Sequence, residues 1–259
     1  MWLYIVGGII LFFIIAPILI VVPLSLSSAN YIIFPPPGFS LKWYEKIFED
    51  SVWVEAAIRS FQVGILTTAL SVVLGTMAAL AVTKLEFKGK KLVSALMILP
   101  MIVPAVVVGI ALYRVFSTTH IIGSVFGLVL AHTLLALPIV FVTVSSSLKG
   151  VDKNYELAAM GLGSTPIGVF FKVILPIIKP GMLSGALFAF ITSLDEVIVT
   201  IFVGGISNVT LPKAMWDGIR SETNPTISAV STLLILGTCL LFILQGWLST
   251  RKNTVNHDS

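Results

Sequence analysis

The sequence predicts an all-α, polytopic membrane protein that crosses the bilayer about six times. Three observations carry this. Hydrophobic residues make up 57% of the 259 and charged residues only 11%, whereas a water-facing domain holds about 25% charged residues. Mean hydropathy is +1.04. The apolar residues are also gathered into runs of about 20, the length at which a helix spans the hydrocarbon core. A helix is the expected form because it satisfies its backbone N–H and C=O groups internally.

The first run covers residues 2–26. It is longer than the core of a secretory signal (about 7–15 residues) and no Lys or Arg precedes it, so it is read as a span. Pro17 and Pro23 are expected to kink or end it. A polar stretch follows to about Glu55, with a stop at Pro35-Pro36-Pro37. Within it, Trp43, Tyr44 and Phe48 alternate with Lys42, Glu45 and Lys46, the mixture of a short helix lying in the membrane interface, with a solvated loop as the other reading. Runs at 61–82, 92–116, 122–144, 177–203 and 227–248 complete six spans in a single transmembrane domain over 1–259. Pro100, Pro104 and Pro138 are expected to interrupt their helices. The pairs Gly123/Gly127 and Gly181/Gly185 predict close approach between helices.

Charge sets the orientation. Lys84, Lys88, Lys90, Lys91, Lys149, Lys153, Lys172, Lys179, Arg251 and Lys252 are ten of the sixteen basic residues, and all fall on one face. Short loops rich in Lys and Arg stay cytoplasmic, so both termini are expected inside and the number of crossings even. This placement of the basic residues argues against nucleic acid as a partner, since no aromatic residues interleave with a basic stripe. The lipid bilayer is the partner that composition requires.

One cytoplasmic segment, about 152–176, is too patterned for a simple connector. Asp152 is placed to cap a short helix ending near Met160 or Gly161. Gly161 and Gly163 permit a left-handed stop, and Thr165-Pro166 starts a second helix. Ala158 and Ala159 give the first helix a small-sided surface that another protein can approach closely. An amphipathic connector resting on its own bundle is the other reading of the same pattern.

The segment resembles the coupling motif of permease subunits of bacterial ABC importers: EAA, three residues, Gly, nine residues, then I-x-L-P. Here it reads Leu157-Ala158-Ala159, Gly163 and Val173-Ile174-Leu175-Pro176. Leu157 stands where the motif has glutamate, Glu156 lies one residue earlier, and Val173 replaces isoleucine. SLKWYEKIF, SLDEVIVTIFVGG, TLPKAMWDGIR and NPTISAVSTLL extend the likeness to nearly the whole chain, and are similar to the second permease of spermidine/putrescine-type importers. Permeases of importers for opines, ferric iron, thiamine and aminophosphonates are related.

The resemblance implies a type I importer fold in a bacterial inner membrane. It also implies a related permease as partner in a heterodimer, an ATPase dimer below and a solute-binding protein outside. Glu156, Leu157, Ala158, Ala159, Met160, Gly161 and Gly163 would then form the helix that docks on the ATPase. ATP and Mg would be used there, with no cofactor held by this chain.

Asp195 and Glu196 lie in the middle of the fifth span. A charge at the bilayer centre costs about 2.5–3.5 kcal/mol even on the lenient insertion scale, so such residues face a bundle interior, a partner or a watery path. One or both are candidates to line the path and favour a cation. Thr192, three residues before Asp195 on the same helical face, adds a hydroxyl. A buried network tying this helix to its neighbours satisfies the same constraint. Trp216, Asp217, Arg220 and Glu222 are placed in an external loop, as a solvated connector or a contact for the binding protein.

Other chemistry finds little support. Gly163 and Gly168 have the spacing of a phosphate loop, but Val169 stands where its lysine belongs. No HExxH or GxSxG motif is present, so this chain is not expected to be an enzyme. Cys239 is the one cysteine, which leaves no internal disulfide. His120, His132 and His257 have no second ligand at metal spacing. Among them His132 reads as a packed or hydrogen-bonded residue of its helix. A secondary transporter is the nearest rival, but no internal repeat of the kind common in that class is evident.

Overall fold

The computed structural model describes residues 2–221 and 225–255, and they are overwhelmingly helical. In chain order the helices are α1 (Trp2–Ser25), α2 (Lys42–Glu49), α3 (Ser51–Lys84), α4 (Lys90–Ile102), α5 (Ala105–Thr118) and α6 (Val125–Lys149). They continue with α7 (Lys153–Gly161), α8 (Pro166–Val169), α9 (Leu175–Asp195), α10 (Ile198–Val203), α11 (Leu211–Ser221) and α12 (Thr226–Val255). A π-helical turn, Phe170–Ile174, joins α8 to α9. There the Leu175 amide bonds to Phe170 O, five residues back, one residue before Pro176, which has no amide hydrogen to give. Five stretches are long and apolar enough to cross a membrane: Trp2–Ser25, Ser51–Lys84, Val125–Lys149, Pro166–Asp195 and Thr226–Gly246.

The predicted third span is two helices. Val103 is extended (φ −76°, ψ 132°), the conformation that a following proline imposes, and Pro104 opens α5. The pair α4–α5 bends by 105°. Lys84 at the end of α3 is ion-paired with Glu156 just beyond the end of α6, so these two ends share a face. With α6 long enough to cross, α4 and α5 must together carry the chain over once, which gives six crossings. Pro100 and Pro138, by contrast, are accommodated inside continuous helices.

The fifth span is also broken, with Glu196 extended (φ −78°, ψ 109°) between α9 and α10. Residues 216–220, placed by sequence in a loop, are helical in α11. Glu222 and His257 lie outside the described residues.

Among the described residues, packing divides the chain into two units, Met1–Ala57 with Leu211–Ile243 and Ile58–Thr210 with Leu244–Ser259. In the first, α1 is apolar and exposed along nearly its whole length, with Leu24 and Ser25 buried at its end. The link to α2 is fixed by polar bonds: the Trp43 indole donates to Ser27 O at 2.7 Å, and Ser25 Oγ lies 2.7 Å from Tyr44 Oη. Trp43 and Ile47 are buried while Phe48 is exposed, giving α2 two faces.

In the second unit α6 is the central helix, packed on α4, α9 and α10. Val140, fully buried, sits between two glycines. A Cβ at Gly75 of α3 would come 2.8 Å from Val140 Cγ1, and one at Gly185 of α9 3.4 Å from Val140 Cα. Gly181 lies against Ser147 in the same seam, so this glycine pair brings α9 onto α6 as expected. Gly123 and Gly127 do not form a helix seam. Gly123 has φ +70° in the turn before α6, and Gly127 meets only that turn.

Candidate coupling segment and helix break

Asp152 caps α7 by accepting from the Asn154 amide at 2.9 Å. Thr165 caps α8 by accepting from Gly168 N–H at 3.1 Å, with Pro166 in the first turn. Gly163, at φ +85°, makes the left-handed stop; Gly161 stays in the helix. Around this helix the candidate residues divide by direction. Leu157, Ala158, Met160 and Gly161 are exposed, as is Gly163 beyond its end, whereas Ala159 packs against the core cluster of α6 and α9. The exposed side is apolar, with Tyr155 and Leu162 (88% exposed) adding to Leu157 and Met160. Glu156 turns the other way and pairs with Lys84. Sequence reasoning placed Lys84 only among the basic loop residues; nothing in the local pattern marks its partner 72 residues on.

The second candidate lies at the break between α9 and α10. Glu196 accepts a hydrogen bond from the Val199 amide at 2.7 Å, so its carboxylate caps α10. Asp195, its neighbour, is exposed. The Thr192 hydroxyl donates to Phe188 O at 2.8 Å, within its own helix. Of the three predicted residues, Glu196 and Thr192 bond to different backbone groups and Asp195 is exposed.

His132 of α6 lies beside them, buried, with Nδ1 2.8 Å from Ser193 Oγ and Nε2 3.0 Å from Thr200 Oγ1. It is hydrogen-bonded on both sides, in keeping with the sequence reading. Ser193 and Thr200 were not singled out. They lie on either side of the break at Glu196, so no single helical period joins them and no local signal marks the pair.

Among the described residues no group of three or more His, Cys, Asp or Glu is placed to hold a metal ion. Trp216 and Arg220 of α11 stack with the guanidinium 5.8 Å from the ring, and Lys213 bonds Asp217 at 2.7 Å.

Comparison with known proteins bears on the family and the fold. The family model described as binding-protein-dependent transport system inner membrane component matches residues 71–254. The chain is 34% identical to the spermidine/putrescine transport system permease protein PotC of Haemophilus influenzae, over 93% of this chain and 92% of that one. It is 31% identical to the putrescine transport system permease protein PotI of Escherichia coli K12, over 92% and 87%. A bacterial ABC transporter that imports the acidic polysaccharide alginate has a similar fold. The TM-score is 0.76 at 12% identity, covering 96% of this chain and 94% of that one. The chain thus belongs to the binding-protein-dependent transport system inner membrane components, multi-pass subunits of ABC importers.

Proposed function

We propose that this permease forms, with a second and related permease, the path of an ATP-driven importer for a small cationic solute, putrescine or spermidine. The observation that carries the solute class is likeness over more than nine-tenths of the chain to two permeases named for polyamines. The exposed Asp195 at the helix break supports it, since an acid held in a span favours a cation over a neutral solute. Glu196, whose carboxylate is engaged at Val199, fits the structural role better.

The permease is the non-catalytic component. On this reading ATP and Mg are bound by a separate ATPase dimer, which docks on the apolar face of α7, and an external binding protein delivers the solute. Residues 1–259 act as one permease domain with both termini in the cytoplasm. The ion pair joining the end of α3 to α7 supports this by putting the lysine-rich turn and the coupling segment at one face.

Uptake of radiolabelled putrescine and spermidine into vesicles holding both permeases, the ATPase and the binding protein tests the proposal. ATP-dependent uptake of one, competed by the other, is the expected result. ATP-dependent transport of a different solute would discard polyamines. Transport by this chain alone, driven by an ion gradient, would overturn the importer mechanism.

A further inference from the structure

Helices α9 and α10 are one apolar run cut at Glu196, and the cut is bridged from a third helix. His132 of α6 is 1% exposed and reaches Ser193, in the last turn of α9, and Thr200, near the start of α10. Counting protons gives the bonds a direction. The Thr200 hydroxyl has one proton and donates it to Glu196 O at 3.1 Å. It therefore accepts from His132 Nε2–H, and a neutral imidazole then leaves Nδ1 free to accept from the Ser193 hydroxyl. The chain runs from Ser193 to His132 to Thr200 to the Glu196 carbonyl. Ser193 and Thr200 are 3% and 0% exposed. Each hydroxyl and each ring nitrogen is matched, as buried polar groups within a span require.

We infer that His132 is a positioning residue of the transport cycle, whose two hydrogen bonds make α9 and α10 move together across the break at Glu196. Helix α9 continues directly from the coupling segment, within the unbroken run Pro166–Asp195. Helix α10 packs on α5, with Phe202 against Gly109. Its end is tied to the turn before α6, where Gly123 N–H donates to Val203 O at 2.8 Å.

A displacement entering at α7 therefore passes into α9 and must cross the break to reach α5 and that turn. The Glu196 cap on Val199 lies within the break itself, and α9 and α10 both pack on α6. His132 fastens both pieces to α6. The inference rests on the proposed docking of the ATPase at α7.

The test is His132→Leu in the complete transporter of permeases, ATPase and binding protein, reading solute moved per ATP hydrolysed. Leucine removes both bonds while keeping an apolar side chain of comparable size. Ser193→Ala and Thr200→Val each remove one bond with His132 intact, and Thr200→Ser keeps the hydroxyl. ATP hydrolysis per assembled complex is expected to stay within about twofold of wild type, while solute moved per ATP falls on the order of tenfold in His132→Leu. The fall is smaller in Ser193→Ala and Thr200→Val and absent in Thr200→Ser.

A residue that only packs would change the yield of complex and leave this ratio alone. An unchanged ratio in His132→Leu overturns the inference. If that variant fails to assemble, an unchanged ratio in both single-bond variants does so. The ratio is read with putrescine and spermidine, or with the solute eluted from the binding protein if wild type carries neither. A wrong solute therefore shows in wild type, and a wrong clasp shows in the ratio.

Discussion

Lys84, the last residue of α3, is ion-paired with Glu156 of α7 across 72 positions of sequence. The two side chains keep only 22% and 17% of their exposure, so the pair is screened less than one on an open surface. It ties α7 to a membrane-crossing helix by charge, while Ala159 of α7 packs on the core of α6 and α9.

Glu156→Gln is expected to cost about 1 kcal/mol of stability, the upper end for pairs that keep some solvent contact. The charge swap Lys84→Glu with Glu156→Lys should recover most of it. Thermal unfolding of the purified complex checks both. Glu156→Gln combined with Leu157→Glu should not recover it, because neighbouring side chains on a helix point about 100° apart. Recovery by that variant would show that Lys84 accepts an acid at either position.

The seam around Val140 gives a second outcome. A methyl group at Gly75 would meet Val140 Cγ1 at 2.8 Å with the Phe141 amide nitrogen at 3.3 Å behind it. Gly75→Ala is thus overpacked and should cost about 1–3 kcal/mol. Val140→Ala alone leaves a cavity and also destabilises. Placed together, the two changes exchange volume across the seam, so the double variant should be more stable than the sum of its parts. Detergent-solubilised melting temperatures of the four proteins measure that coupling.

The long apolar helices and the two short helices α7 and α8 were legible because each has a local cause. Apolar length marks the spans, Asp152 and Thr165-Pro166 mark the caps, and Gly163 marks the stop. The breaks were legible only in part. Pro104 lies at one of them, but Pro100 and Pro138 look alike in sequence and sit within continuous helices. The break at Glu196 follows no proline or glycine; the carboxylate that caps α10 takes part in it. What joins Lys84 to Glu156 and His132 to Ser193 and Thr200 is tertiary, and no periodicity within one segment announces it. The helical form of residues 211–221 was missed because its apolar residues are too few to resemble a span.

The acid pair should divide on mutation. Asp195→Asn removes a charge from an exposed side chain, so the fold should persist while uptake of a divalent amine falls relative to a monovalent one. Glu196→Gln keeps an oxygen able to accept from Val199 N–H and should have the smaller effect. Glu196→Ala loses the cap and should cost about 1 kcal/mol, seen as a lower melting temperature. Competition uptake with amines of different charge reads the first outcome. Equal preference in wild type and Asp195→Asn would remove Asp195 from the path.

The outward face of α7 sets the last prediction. Leu157 is 53% exposed and Leu162 88%, with Tyr155 and Met160 beside them, and an apolar surface of this kind is normally covered by a partner. Burying one such side chain contributes about 1.5–3 kcal/mol. Leu157→Asp and Leu162→Asp should therefore weaken ATPase binding about tenfold or more while the permease still folds, since neither side chain is buried in its own bundle. Ala159→Asp reverses the pattern: it puts a charge against the core of α6 and α9, so the yield of folded permease should fall first. The amount of ATPase recovered per permease, measured beside total folded permease, separates the two classes. Full ATPase recovery with Leu157→Asp and Leu162→Asp would place the docking surface elsewhere on the permease.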